Sequence, residues 1–244
     1  MTTRRQAMIC LVVLVLFRTA QIKAAETTDV KESNFQGTDD VTVKLRMEGP
    51  YTADVPLQVV CYFRYSPEGA KRMAGAPVEL DKKLGGVIAS LRERGEFNGD
   101  ALETMLISPP PNSIKAKALM LVGLGNEAEL SPKLLAQVGK IALREAARLG
   151  TTRVAFAPLI RDQGNTSIDV GDVERAVTSG LLLAYNTERR LQNEGLAKPF
   201  VLDQWIVEAG PTYYDTTAEG LQRAISDAKE TIAKRQKSPY GTAK

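Results

Sequence analysis

The 244-residue sequence has no histidine and only two cysteines, Cys10 and Cys61. Without an imidazole, no Ser-His-Asp or Cys-His nucleophile system can be assembled, and zinc sites that need a histidine ligand are excluded. Two thiols are too few for a Cys-only structural zinc site. The apolar run 7–17 is 11 residues long, well short of the roughly 20 that cross the hydrocarbon core of a bilayer. What is present is a globular composition, 43% hydrophobic and 25% charged, which excludes a disordered tail, a collagen-like repeat or a polytopic membrane protein.

Arg4 and Arg5 ahead of that apolar run, and Ala24 and Ala25 after it, read as an export signal over residues 1–25. Cleavage is expected after Ala25, with Ala24, Ala20 or a retained single anchor as alternatives. The precursor carries 32 basic and 29 acidic residues. Removing 1–25 takes away Arg4, Arg5, Arg18 and Lys23 and no acid, which leaves 28 against 29, a net charge of −1. A near-neutral mature chain lacks the clustered positive charge that nucleic-acid binding draws on. The expected location is periplasmic or secreted, with no membrane contact after cleavage. Cys61 would then be the sole thiol, and its setting, Val59-Val60-Cys61-Tyr62-Phe63, is that of a buried strand.

Residues 26–40 are polar and read as a flexible leader, and 236–244 as a C-terminal tail. Between them, 41–235 suffices for one domain. Strand-like runs occur at 41–47, 55–63, 104–108, 118–122, 154–160 and 200–207. Four apolar stripes at helical spacing separate them: Leu80, Leu84, Val87, Ile88 and Leu91; Leu135, Val138, Ala142, Ala146 and Leu149; Val173, Ala176, Val177, Gly180 and Ala184; Leu221, Ile225, Ala228 and Ile232. Ser131, Pro132 and Gly150 mark the ends of the second helix. Thr216 and Glu219 have capping-box spacing at the start of the fourth. Alternating strands and helices predict a three-layer α/β/α sandwich with a mixed, largely parallel sheet.

Two glycine pairs are candidate ligand-binding positions. Gly123 and Gly125, in Val122-Gly-Leu-Gly-Asn-Glu-Ala128, follow a strand and match the dinucleotide pattern G-x-G-x-x-A. Glu127 and Glu129 would repel a pyrophosphate there, so a tight strand-to-helix turn is the favoured reading. Gly85 and Gly86 are expected inside a helix, where each costs about 1 kcal/mol against alanine; close packing is favoured over ligand space. Asn165-Thr166-Ser167 is a glycosylation sequon on an expected loop, and the basic segment 229–237 reads as a solvated helix end.

Taken in order, Leu80-Asp81, Leu84-Gly85-Gly86, Gly95-Glu96-Phe97-Asn98-Gly99, Leu119 to Gly125, Ala146-Ala147-Arg148 and Val173-Glu174-Arg175-Ala176 through Tyr185 resemble the N-terminal domain of the leucyl aminopeptidase family, the two-metal cytosol aminopeptidases. The resemblance spans 55–235. It implies an α/β/α domain of macro-domain topology, which in the family packs against a C-terminal catalytic domain and contributes to a hexamer. The family's metal ligands lie in that second domain, whose signature is Asn-Thr-Asp-Ala-Glu-Gly-Arg. Here Asp215 to Leu221 matches it only superficially, with Thr217 in place of the chelating aspartate and Leu221 in place of the arginine. No metal ligand, catalytic residue or cofactor carries over.

The leading expectation is therefore an exported, stand-alone, non-catalytic domain that binds a protein partner or assembles with itself. A macro-domain-type binder of ADP-ribose or a related nucleotide is the alternative from a different class. A family aminopeptidase with little or no activity is the third.

Overall fold

The computed structural model describes residues 30–235. The expected signal segment, Cys10 within it, and the tail 236–244 lie outside the described residues. Among the described residues seven strands form one sheet: β1 (Glu32–Gln36), β2 (Thr42–Arg46), β3 (Leu57–Tyr62), β4 (Thr104–Ile107), β5 (Ala118–Gly123), β6 (Arg153–Ala157) and β7 (Gln204–Glu208). Their spatial order is β1-β2-β7-β6-β3-β5-β4. The inner pairings β2–β7, β7–β6, β6–β3 and β3–β5 are parallel, while β1–β2 and β4–β5 are antiparallel and close the two edges. Strands covered on both faces read as near-continuous apolar runs, and β3 is buried at all six positions.

Among the described residues six helices accompany the sheet: α1 (Pro67–Arg72), α2 (Ala76–Lys83), α3 (Val87–Glu93), α4 (Pro132–Leu149), α5 (Val170–Asn193) and α6 (Tyr214–Lys234). The apolar stripes of α4, α5 and α6 cover the sheet face that presents Val43, Val59, Phe156 and Trp205. Leu80, Leu84 and Ile88 of the α2–α3 region cover the opposite face, with Val60, Ala155 and Ile206. This is the three-layer, mostly parallel arrangement expected. Ser131 caps α4 by accepting from the Leu134 amide, and Gly150 ends it in the left-handed region. Glycines let the helices on that face approach closely: a Cβ on Gly180 would lie 2.1 Å from the Ala136 carbonyl oxygen, and one on Gly139 2.0 Å from that of Val177. Among the described residues no helix is long and apolar enough to cross a membrane.

Three expectations need correction. Residues 32–36, read as part of a flexible leader, form the edge strand β1. Only Phe35 among them is apolar and packs on the core, and the strand is secured by its backbone ladder to β2. Gly85 and Gly86 do not lie inside a helix: they separate α2 from α3, at φ +70° and +82°, and a Cβ on either would meet nothing within 4 Å. Left-handed backbone, which glycine adopts without steric cost, explains them rather than close packing. Thr216 and Glu219 do not form a capping box, because α6 already begins at Tyr214 after a single 3₁₀ turn at Pro211–Tyr213.

Candidate functional site

Loops leaving the C-terminal ends of parallel strands diverge and leave a crevice, the usual ligand position in α/β folds. Here a cleft of about 360 Å³ opens beyond the ends of β2, β6 and β7. Its walls are segment 47–51 after β2, the turn 157–162 after β6, the loop 208–213 after β7, and the first turns of α5 and α6. Most of the lining is apolar, and a few polar side chains sit among it.

The turn after β6 is fixed from below. Pro158 and Leu159 end the strand, and Leu159 takes φ +54°, a conformation that costs a side-chain-bearing residue on the order of 1–3 kcal/mol. Gln163 holds it there. Its buried amide donates to the carbonyls of Leu159 (3.0 Å) and Cys61 (3.1 Å), and its oxygen accepts from the Phe63 amide (3.0 Å). The Arg161 guanidinium is spent on the backbone, donating to Asn165 O at 2.7 Å and Ile168 O at 2.6 Å.

Three glutamates converge on the cleft. Glu208 ends β7 and is 5% exposed; its Oε2 accepts from Gln58 Nε2 at 2.8 Å. Glu174, in the second turn of α5, is 1% exposed. Glu48 follows β2 and contacts Arg46 Nη1 at 2.8 Å. Glu174 Oε2, Glu208 Oε1 and Thr217 Oγ1 are buried without a hydrogen-bond partner among the described residues. Burial pushes the Glu174 carboxyl up to about 8. Glu208 is raised well above its ordinary range by burial and then by repulsion from Glu48. Burial also raises Glu48, outweighing the attraction of Arg46. Burial thus opposes the charged form of both Glu174 and Glu208.

These groups offer hydrogen bonds within the cleft. Cys61 is fully buried in β3, and desolvation raises its thiol far above the range in which a reactive thiolate forms. Among the described residues there is no group of three or more His, Cys, Asp or Glu side chains that could hold a metal ion.

None of the four glycines singled out from the sequence lines the cleft. Gly123 ends β5, where a Cβ would lie 1.9 Å from the Asp100 carbonyl oxygen; Gly125, at φ +70°, packs on Ala101. Both accommodate the 99–101 turn. The sequon is on a loop, but Asn165 is only 8% exposed and its Oδ1 accepts from Ser167 N and Oγ. The cleft carboxyls were not recognised from sequence as a site. The available signals were an acid on the apolar face of a helix, Glu174 beside Val177 and Leu181, and another closing the apolar run Trp205 to Val207.

The mixed seven-stranded sheet with its helices defines a macrodomain-like α/β fold. The Oceanobacillus iheyensis macrodomain with ADP superposes with a TM-score of 0.56 at 12% identity, covering 81% of this chain and 98% of that one. A tomato leucine aminopeptidase mutant gives 0.55 at 17% identity, covering 79% of this chain and 36% of that one. Residues 59–195 match the cytosol aminopeptidase family, N-terminal domain, and the chain belongs to that family. Relatives include a probable cytosol aminopeptidase of Thermosynechococcus vestitus, 25% identical over 134 residues, and one of Acidobacterium capsulatum, 32% identical over 139 residues. These matches cover 55% and 53% of this chain but 26% of each relative. The chain thus spans about a quarter of the curated relatives' length, within their N-terminal part.

Proposed function

We propose that this chain is a non-catalytic binding domain of its family, and that its ligand occupies the cleft beyond β2, β6 and β7. Glu174 carries this reading. A buried polar atom without a partner costs about 1–3 kcal/mol, and such atoms persist where water or a ligand completes them. Glu174 Oε2 is one, on the wall of a cavity of ligand size, with Glu208 Oε1 and Thr217 Oγ1 in the same lining. Screening small molecules by thermal shift on the wild type and on Gly210→Trp tests it. Gly210 lines the cleft with an ordinary φ of −71°, and a Cβ there meets nothing within 4 Å. A stabilising ligand lost in Gly210→Trp supports the reading; ligands indifferent to it, or none, overturn it.

The macrodomain solved with ADP raises the nucleotide alternative. The cleft opposes it, since the guanidinium in its lining, Arg161, is already occupied, and the charge of a pyrophosphate placed beside Glu48, Asp162, Glu174 and Glu208 would disfavour their ionisation further. Calorimetry with ADP-ribose is expected to show no heat at millimolar ligand. A leucine chromogenic substrate with manganese or zinc is expected to show no turnover above blank. Export rests on residues 1–25, and the mass of the protein recovered from the cell exterior or periplasm tests for their removal.

A second binding mode proposed beside the first is docking to a protein partner or to another copy of itself. Light scattering with a pull-down tests it, and a monodisperse monomer without a partner would contradict it.

A further inference from the structure

We propose that the cleft selects a small organic cation, a protonated primary amine on an apolar body, with its ammonium group hydrogen-bonded to Glu174 and Glu208. The proposal rests on the reading of the cleft as a binding site and names the chemistry it prefers.

The first support is the type of atom left unpaired. Glu174 Oε2, Glu208 Oε1 and Gln58 Oε1 are each buried without a partner, all three accept once the carboxyls are ionised, and Gln58 is tied to Glu208 through its other end. A ligand that completes them must donate. An ammonium group carries three donors and no acceptor, whereas an alcohol brings one donor and a carboxylate none.

The second is charge. Four carboxyls line the cleft, and the cations nearby are committed, Arg46 to Glu48 and Arg161 to backbone carbonyls. A cation entering here favours the ionised form of Glu174 and Glu208 that burial otherwise opposes, and hydrogen bonds to ionised groups are roughly twice as strong as neutral ones. The carboxyls are not gathered as a metal ion requires, which favours an extended organic cation. The third is the remaining wall. Val173, Ile160, Ala209 and Pro211 are apolar, and Tyr213 stands at the mouth, 40% exposed. A volume of about 360 Å³ lies at the small end of ligand pockets, about 300–1,000 Å³.

Phenethylamine, 2-phenylethanol and phenylacetate form a nearly isosteric series of positive, neutral and negative charge. Each is titrated by calorimetry into the wild type, Glu174→Gln, Glu208→Gln and Gly210→Trp, with thermal unfolding confirming that each variant is folded. The expected result is binding of the amine alone. Each glutamine variant should weaken it by roughly tenfold or more, the loss expected for a charge-assisted hydrogen bond, and Gly210→Trp should abolish it. If the alcohol or the acid binds as well as the amine and Gly210→Trp blocks it, the preference for a cation is overturned while the binding cleft stands. If none of the three binds, or binding survives Gly210→Trp, both readings fail. Should one glutamine variant not fold, the other and the charge series still decide.

Discussion

Gln58 Nε2 reaches Glu208 Oε2 at 2.8 Å although β3 and β7 are not neighbours. The strand between them, β6, presents Ala155 on that face, opposite Gln58 in register, with Ala157 next on the same side. Two small residues leave the room through which a buried amide can cross the sheet to a buried acid. The hydrogen bond therefore holds the floor of the cleft to the centre of the domain.

Gln58→Leu removes the only hydrogen bond made by Glu208's side chain among the described residues. It is expected to lower stability by about 1–3 kcal/mol, the cost of leaving a buried polar group unpaired. The double variant Gln58→Leu/Glu208→Leu removes both polar groups and should recover part of that loss. Urea unfolding of the two variants checks this; equal or greater loss in the double variant would count against it.

Glu174 makes stability depend on pH with a definite sign. Its folded value of about 8 lies above the ordinary 4.5, so between those values the folded state holds a proton that the unfolded chain has released. Stability is then lost as pH rises from about 4.5 to 8 and levels off above. Burial is what raises it, and the titratable groups coupled to it are Cys61 from β3 and Glu208 from β7, while Glu48, Asp162, Arg161 and the uncharged Thr217 share the lining of the same cleft. Glu208, also raised, acts in the same direction. Glu174→Gln should raise stability at pH 8 by on the order of 2–4 kcal/mol, at about 1.4 kcal/mol per pKa unit, and flatten the profile. Denaturant midpoints measured from pH 4 to 9 would show it.

Gly180→Ala places a methyl group where the Ala136 carbonyl oxygen lies 2.1 Å away. Separating α4 from α5 to admit it should cost about 1–3 kcal/mol or more. Gly85→Ala meets no neighbour and should lose only the cost of a left-handed backbone, about 1–2 kcal/mol. A larger loss at Gly85 than at Gly180, read from thermal melts, would reverse this account of the two glycines.

Cys61 should resist thiol reagents in the native protein and react only at the rate of unfolding, because it is fully buried and its thiol is held protonated. Timed labelling with a chromogenic disulfide at several denaturant concentrations measures this. Rapid labelling without denaturant would place the thiol at a surface.

Much of the fold was legible because its signals are local. Ser131, Pro132 and Gly150 mark α4 by their own backbone and capping preferences, and the apolar run around Val59 could only be a covered strand. β1 was hidden because an edge strand with one solvated face needs little apolar content, and Phe35 alone did not announce it. The start of α6 was misplaced because the chain enters it from a 3₁₀ turn after Pro211, so Thr216 had no cap to supply. The cleft was illegible for a different reason. Glu48, Glu174 and Glu208 lie far apart in sequence, and only the parallel order β2-β7-β6 brings the segments after these strands to one end of the sheet. The glycine turn, by contrast, was conspicuous in sequence and serves the packing of 99–101.

The most direct test of the account is amide chemical-shift mapping during titration with phenethylamine. The account predicts saturable shifts at Glu174, Glu208, Gly210 and Thr217, absent in Gly210→Trp. Shifts confined to the Gly123–Gly125 turn, or none at saturating amine, would contradict it.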